Sequence, residues 1–183
     1  VLIILEGSDL AGKTTLCERL RLYLSSKYPT HTTTVLHRGA PSSDPIAEYV
    51  DPLRGYEPES GQHIICDRWH IGEIVYPLVL HRPSEMDPTM FSQVEHFLDA
   101  KGAFLVHVWV PDSDLIARYK ERGDAHRSLH EVLFASEVFK RMMRRSRLPS
   151  MTGLHHTPDD IVWAAAGAEV RAAEREKRLP SWE

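Results

Sequence analysis

The chain has 183 residues, room for one ordinary domain with a sizeable core, and its 42% hydrophobic and 26% charged residues are a globular balance. No apolar run nears the roughly 20 residues that span a bilayer, and a net charge of -4 argues against a generally cationic coat for nucleic acid. Two cysteines, Cys17 and Cys66, make neither a disulfide framework nor a metal site and are expected as buried thiols. The apolar start is too short for a signal-peptide core, so a cytoplasmic location without membrane contact is the expectation.

Val1–Leu5 is a short continuous apolar run, the pattern of a strand covered on both faces. It leads into Gly7-Ser8-Asp9-Leu10-Ala11-Gly12-Lys13-Thr14, which fills every fixed position of G-x-x-x-x-G-K-[ST]. Such a loop turns its N–H groups toward phosphate oxygens, aided by the positive end of the helix that follows. Lys13 supplies a mobile charge for the β- and γ-phosphates, the Thr14 hydroxyl a magnesium ligand, and Thr15 extends the phosphate contact. ATP and magnesium are therefore the expected cofactors. The helix that opens here, Lys13–Tyr28, places Leu16, Leu20 and Leu24 on one face.

Thr32–His37 alternates and is a second strand, followed by Arg38-Gly39-Ala40-Pro41. His63–Cys66 is a further buried strand and ends on Asp67-Arg68. There the acid suits magnesium or its water shell, and the arginine suits bidentate grip of a phosphate. Ligands of open parallel sheets bind at the carboxyl ends of strands, where both residues lie. A helix is expected over Met90–Ala100 and a strand over Ala103–Val110. After the latter come Leu115, Arg118, Arg122, Gly123 and Arg127, read as an arginine-rich lid over about 118–130. Lys140, Arg141, Arg144, Arg145 and Arg147 form a dense basic run. A fifth strand is expected around Met151–His155. The last helix has Thr157 as cap, Pro158 in its first turn and a buried stripe of Ile161, Ala165, Ala168 and Ala172, and frays after Lys177. The alternation of strands and helices predicts one α/β domain over 1–183. It is a P-loop NTPase-type three-layer sandwich, a five-stranded parallel sheet with helices on both faces.

Three segments resemble the thymidylate kinase family of P-loop nucleoside and nucleotide kinases. Asp9 stands where the family's loop has an acid near the acceptor sugar and the metal. Asp67-Arg68-Trp69-His70-Ile71-Gly72-Glu73-Ile74-Val75-Tyr76 is similar to the family's D-R-aromatic-x-x-S-x-x-x-Y, with Gly72 in place of the serine. The resemblance implies that Arg68 holds the acceptor phosphate and that Tyr76 lies against a 2′-deoxy sugar. Leu115, Arg118, Arg122 and Gly123 match the lid, with Arg127 as its further arginine on the nucleotide. The chain departs from the family at Leu10, usually glycine, and at Arg38-Gly39-Ala40-Pro41, a faint echo of R-E-P-G that leaves Arg38 as a candidate for substrate binding. Only 28 residues lie between Arg38 and Asp67, too few for the family's base-sandwiching helix. Arg54, Tyr49 and Tyr56 are substitutes for that role or else surface residues.

The leading expectation is transfer of the γ-phosphoryl group of ATP to a small-molecule pyrimidine deoxynucleotide, thymidylate favoured, with a homodimer as a further possibility. The alternative is a hydroxyl acceptor, on a deoxynucleoside or a 5-hydroxymethyl pyrimidine in DNA, with Asp9 or Asp44 as base and the basic run near the DNA backbone. A nucleotide-binding module without catalysis is the third reading.

Overall fold

The computed structural model describes all residues except Ala40, Ser42, Ser43, Ala125, Leu154, His155 and 179–183. Five strands run in parallel: β1 (Leu2–Glu6), β2 (Thr32–His37), β3 (Gln62–Asp67), β4 (Phe104–His107) and β5 (Ser150–Thr152). Their spatial order is β2-β3-β1-β4-β5, which puts β1 at the centre and the loop after it between β3 and β4. The helices are α1 (Lys13–Lys27), α2 (Pro45–Val50), α3 (Gly72–Val79), α4 (Pro88–Ala100), α5 (Asp112–Arg122), α6 (Leu129–Met143) and α7 (Pro158–Arg178).

Period-two alternation explains the layering. Leu2, Ile4, Ile64, Cys66 and Leu105 point to one face and share a core with residues of α2, α3, α4 and α6. Ile3, Leu5, Ile65, Phe104 and Val106 point to the other and pack on α1 and α7. Because both faces are covered, the inner strands are mainly apolar, with polar residues at their ends, as the sequence implied. Ile161, Ala165, Ala168 and Ala172 are all buried, and a reciprocal Thr157–Asp160 cap starts α7. Both cysteines are buried free thiols. Among the described residues no helix is long and apolar enough to cross a membrane.

The fourth strand is shorter than the expected 103–110. Its ladder with β1 ends when Val108 N–H donates to Glu6 O at 2.8 Å, because β1 itself turns away at Gly7. The fifth strand covers Ser150–Thr152, and part of the expected span, Leu154 and His155, lies outside the described residues. Tyr49 and Tyr56 are core residues, only 1% and 2% exposed. Asp44 caps α2 through the N–H groups of Ile46 and Ala47, and this helix folds its Tyr49 edge-on against Trp69 at 5.6 Å. Neither tyrosine is free to sandwich a base, and Arg54 is an exposed partner of Asp51.

Candidate active site

The loop between β1 and α1 forms one wall of a cavity of about 620 Å³. Gly7 is obligatory, because a Cβ there would lie 2.2 Å from the carbonyl oxygen of Val108. Gly12 begins α1 with φ 103°, and Leu10 takes φ 63° although it is not glycine. Packing holds Leu10 in that conformation: its side chain lies on the Val110, Leu115 and Val132 cluster. Arg118 of α5 donates to Leu10 O at 2.9 Å and to Ala11 O at 3.1 Å. The loop and the expected lid helix are thus tied together.

Lys13 is buried, and its Nζ donates to the carbonyls of Gly7 and Ser8, each at 2.7 Å. Burial, and then the charge of Arg68, lower its pKa to about 8. Thr14 and Thr15 are exposed on the cavity wall. Asp67, at the end of β3, has His37 Nδ1 3.3 Å from its Oδ2, while its buried Oδ1 has no partner among the described residues. Asp67 and Arg68 do not pair with each other as a strand-end cap; Arg68 instead donates to Asp9 Oδ1.

Asp9, in the loop after β1, is the hub on which the other elements converge. Besides Arg68 it holds Arg127, 2.7 Å from its Oδ2, and the Tyr76 hydroxyl, which donates at 3.2 Å. The Arg127 guanidinium lies over the Tyr76 ring, 4.5 Å from its centre. The expected contributors from loop, β3, α3 and lid therefore converge. Arg127 does so against the Asp9–Tyr76 group. Arg122 is exposed on the rim. Arg38 does not line the cavity; it turns to Glu48 of α2 at 3.7 Å. Asp44 is committed to its capping bonds.

Two features escaped sequence reasoning. His37 lines the cavity beside Asp67, and Glu121, Asp124 and His126 line it from the end of α5 and the loop after it. Glu6 is wholly buried beneath the turn that follows Asp67. Its signal was there to read: a carboxylate ending an otherwise apolar central strand needs donors from elsewhere in the fold. The basic run was legible in the sequence, and the fold decides where it lies. Leu105, near the start of β4, pairs with Ser150, so the segment from Arg144 to Pro149 enters the sheet at the strand starts, opposite the loop. Arg141 pairs with Glu137 at 3.1 Å, and Lys140 lies over the Trp109 ring.

A five-stranded parallel sheet covered by helices on both faces, with this loop after its central strand, is the P-loop fold. No family model and no curated relative matches the chain. Solved structures do. A YorR protein from Bacillus subtilis, solved with phosphorylated GDP, is 18% identical with a TM-score of 0.65, covering 98% of this chain and 99% of its own. Deoxyadenosine kinase from M. mycoides with bound dATP is 13% identical with a TM-score of 0.51, over 95% and 100%. Thymidylate kinase from Ehrlichia chaffeensis is 17% identical with a TM-score of 0.48, over 95% and 98%.

Proposed function

We propose that this chain is a kinase that uses ATP and magnesium to phosphorylate a pyrimidine deoxynucleoside monophosphate, thymidylate favoured. The observation that carries the reading is the convergence of Arg68 and Arg127 on Asp9, in the same cavity as Lys13 and the phosphate loop, with the buried Tyr76 donating to the same carboxylate. Two guanidinium groups beside a triphosphate site suit an acceptor that is itself an anion. The nucleotides held by structures of the same fold, phosphorylated GDP and dATP, support a nucleotide ligand.

In this reading an oxygen of the acceptor phosphate attacks the γ-phosphorus, the bond to the β–γ bridging oxygen breaks, and ADP leaves. No general base is required, because the attacking oxygen is already anionic. Lys13 is drawn from its two carbonyl partners to the β- and γ-phosphates. Arg68 orients the acceptor, while Arg118 and Arg122 on the lid helix neutralise charge on the transferring group and exclude water. Asp9 keeps Arg68 and Arg127 aligned until the phosphates arrive. Magnesium fits the donors present, since Asp67 Oδ1 is buried without a partner among the described residues and Thr14 lines the same cavity. When bound, the ion neutralises charge on the terminal phosphates. No group of three or more His, Cys, Asp or Glu gathers into a metal cage among the described residues, in keeping with an ion held largely by phosphates and water.

The test is incubation with labelled ATP and a panel of deoxynucleoside monophosphates, free deoxynucleosides and 5-hydroxymethyl pyrimidine DNA. Label transferred to thymidylate supports the proposal. Label transferred only to a hydroxyl, on a nucleoside or on DNA, overturns it.

A further inference from the structure

Glu6 ends β1, directly before the phosphate loop, and is 0% exposed. Its Oε1 accepts hydrogen bonds from three backbone N–H groups: Trp69 and Ile71 at 3.0 Å and Gly72 at 3.3 Å. These amides belong to the turn that opens on Arg68, and Arg68 holds φ 66°, a left-handed conformation that side-chain-bearing residues avoid. The Arg68 N–H donates to Leu5 O at 3.1 Å, one residue before Glu6. The end of β1 thus fastens both the start of this turn and the three amides beyond it. Glu6 does not line the cavity and meets no reacting group. A wholly buried carboxylate is expensive unless its donors require it. Here the donors are amides of an irregular turn, which have no strand or helix to satisfy them.

We propose that Glu6 is a positioning residue that acts through Arg68: by collecting the amides of Trp69, Ile71 and Gly72 it fixes the left-handed turn that aims the guanidinium at the acceptor. The proposal rests on Arg68 being the acceptor ligand. Glu6→Gln keeps the shape and one acceptor oxygen while removing the charge that strengthens all three bonds.

The test has two arms. In hydrogen exchange, the 67–73 segment of Glu6→Gln should exchange about tenfold faster or more, with α1 and the rest of the sheet unchanged. In steady-state kinetics the KM for thymidylate should rise about 10- to 100-fold, with little change in the KM for ATP. In an Arg68→Ala background the same substitution should cost less than about twofold, the non-additivity expected of two residues acting as one unit. Glu6→Asp, which keeps charge but shortens the reach, should behave like Glu6→Gln. Unchanged exchange, or a loss of equal size with and without Arg68, overturns the proposal. So does loss of the cooperative thermal transition in both variants, which would make Glu6 a folding residue. Wild-type protein inert toward thymidylate refutes the acceptor reading alone, and the exchange arm then decides the role of Glu6.

Discussion

Gly72→Ser should stabilise the protein, and the reason lies in the second oxygen of Glu6. While Oε1 carries three bonds, Oε2 is buried with no partner among the described residues. A Cβ at Gly72 would sit 3.8 Å from that Oε2 and 3.8 Å from the nearest Tyr76 ring atoms, ordinary contact on every side. A serine hydroxyl, one bond further on, reaches a hydrogen-bond distance of about 2.7 Å from Oε2. Supplying a donor to a buried carboxylate is worth about 1.5–3 kcal/mol. Replacing glycine at the first turn of α3 adds about 0.4–1 kcal/mol by restricting the unfolded chain. Burial pushes the Glu6 carboxyl above its ordinary range, which lowers the worth of an added donor, so about 1.5–3 kcal/mol in total is expected. For a chain of this length that raises Tm by about 3–12 °C. Gly72→Ala is the control, because it keeps the backbone contribution alone and should gain only about 1–4 °C. Differential scanning calorimetry of the three proteins decides the matter. If serine is no better than alanine, Oε2 does not lack a donor and the account of the Glu6 pocket is wrong.

Lys13→Ala should reduce phosphoryl transfer by at least about 100-fold while the circular dichroism spectrum and thermal transition persist, since the Lys13 side chain belongs to none of the apolar cores; turnover within tenfold of wild type refutes the site. Arg68→Lys keeps the charge but loses the planar fork, and should lower catalytic efficiency toward thymidylate about 10- to 150-fold with ATP affinity little changed; equal losses for both ligands would dissociate Arg68 from the acceptor. Because the Lys13 amine is held at a pKa of about 8, the free enzyme loses its phosphate-binding charge as pH rises through that value. The kcat/KM for ATP should therefore fall above about pH 8, and Arg68→Ala, which removes one of the causes, should move that limb upward. A profile flat to about pH 9.5 in the wild type refutes the assignment.

The phosphate loop, the parallel sheet and the capped last helix were legible in the sequence because each is encoded by neighbours along the chain. A glycine loop needs its glycines in register with one strand and one helix, and a buried strand needs only consecutive apolar residues. Asp67 and Arg68 were legible for the same reason, lying at a strand end where ligands of parallel sheets bind. The tertiary structure decided what depends on strand order. Because β1 lies between β3 and β4, Glu6 comes under the turn after β3, and Asp9 meets Arg68 at Oδ1 and both Tyr76 and Arg127 at Oδ2. Nothing local announces these partners, since they are distant in sequence and a carboxylate alone does not specify its donors. Tyr49 and Tyr56 show the same limit from the other direction. Their Pro- and Gly-rich surroundings read as surface loop, but Asp44 caps a short helix there, and that helix turns its apolar side to Trp69 and the core. Burial is fixed by which surface remains uncovered once the sheet and the larger helices have assembled, a property of the whole fold rather than of any segment.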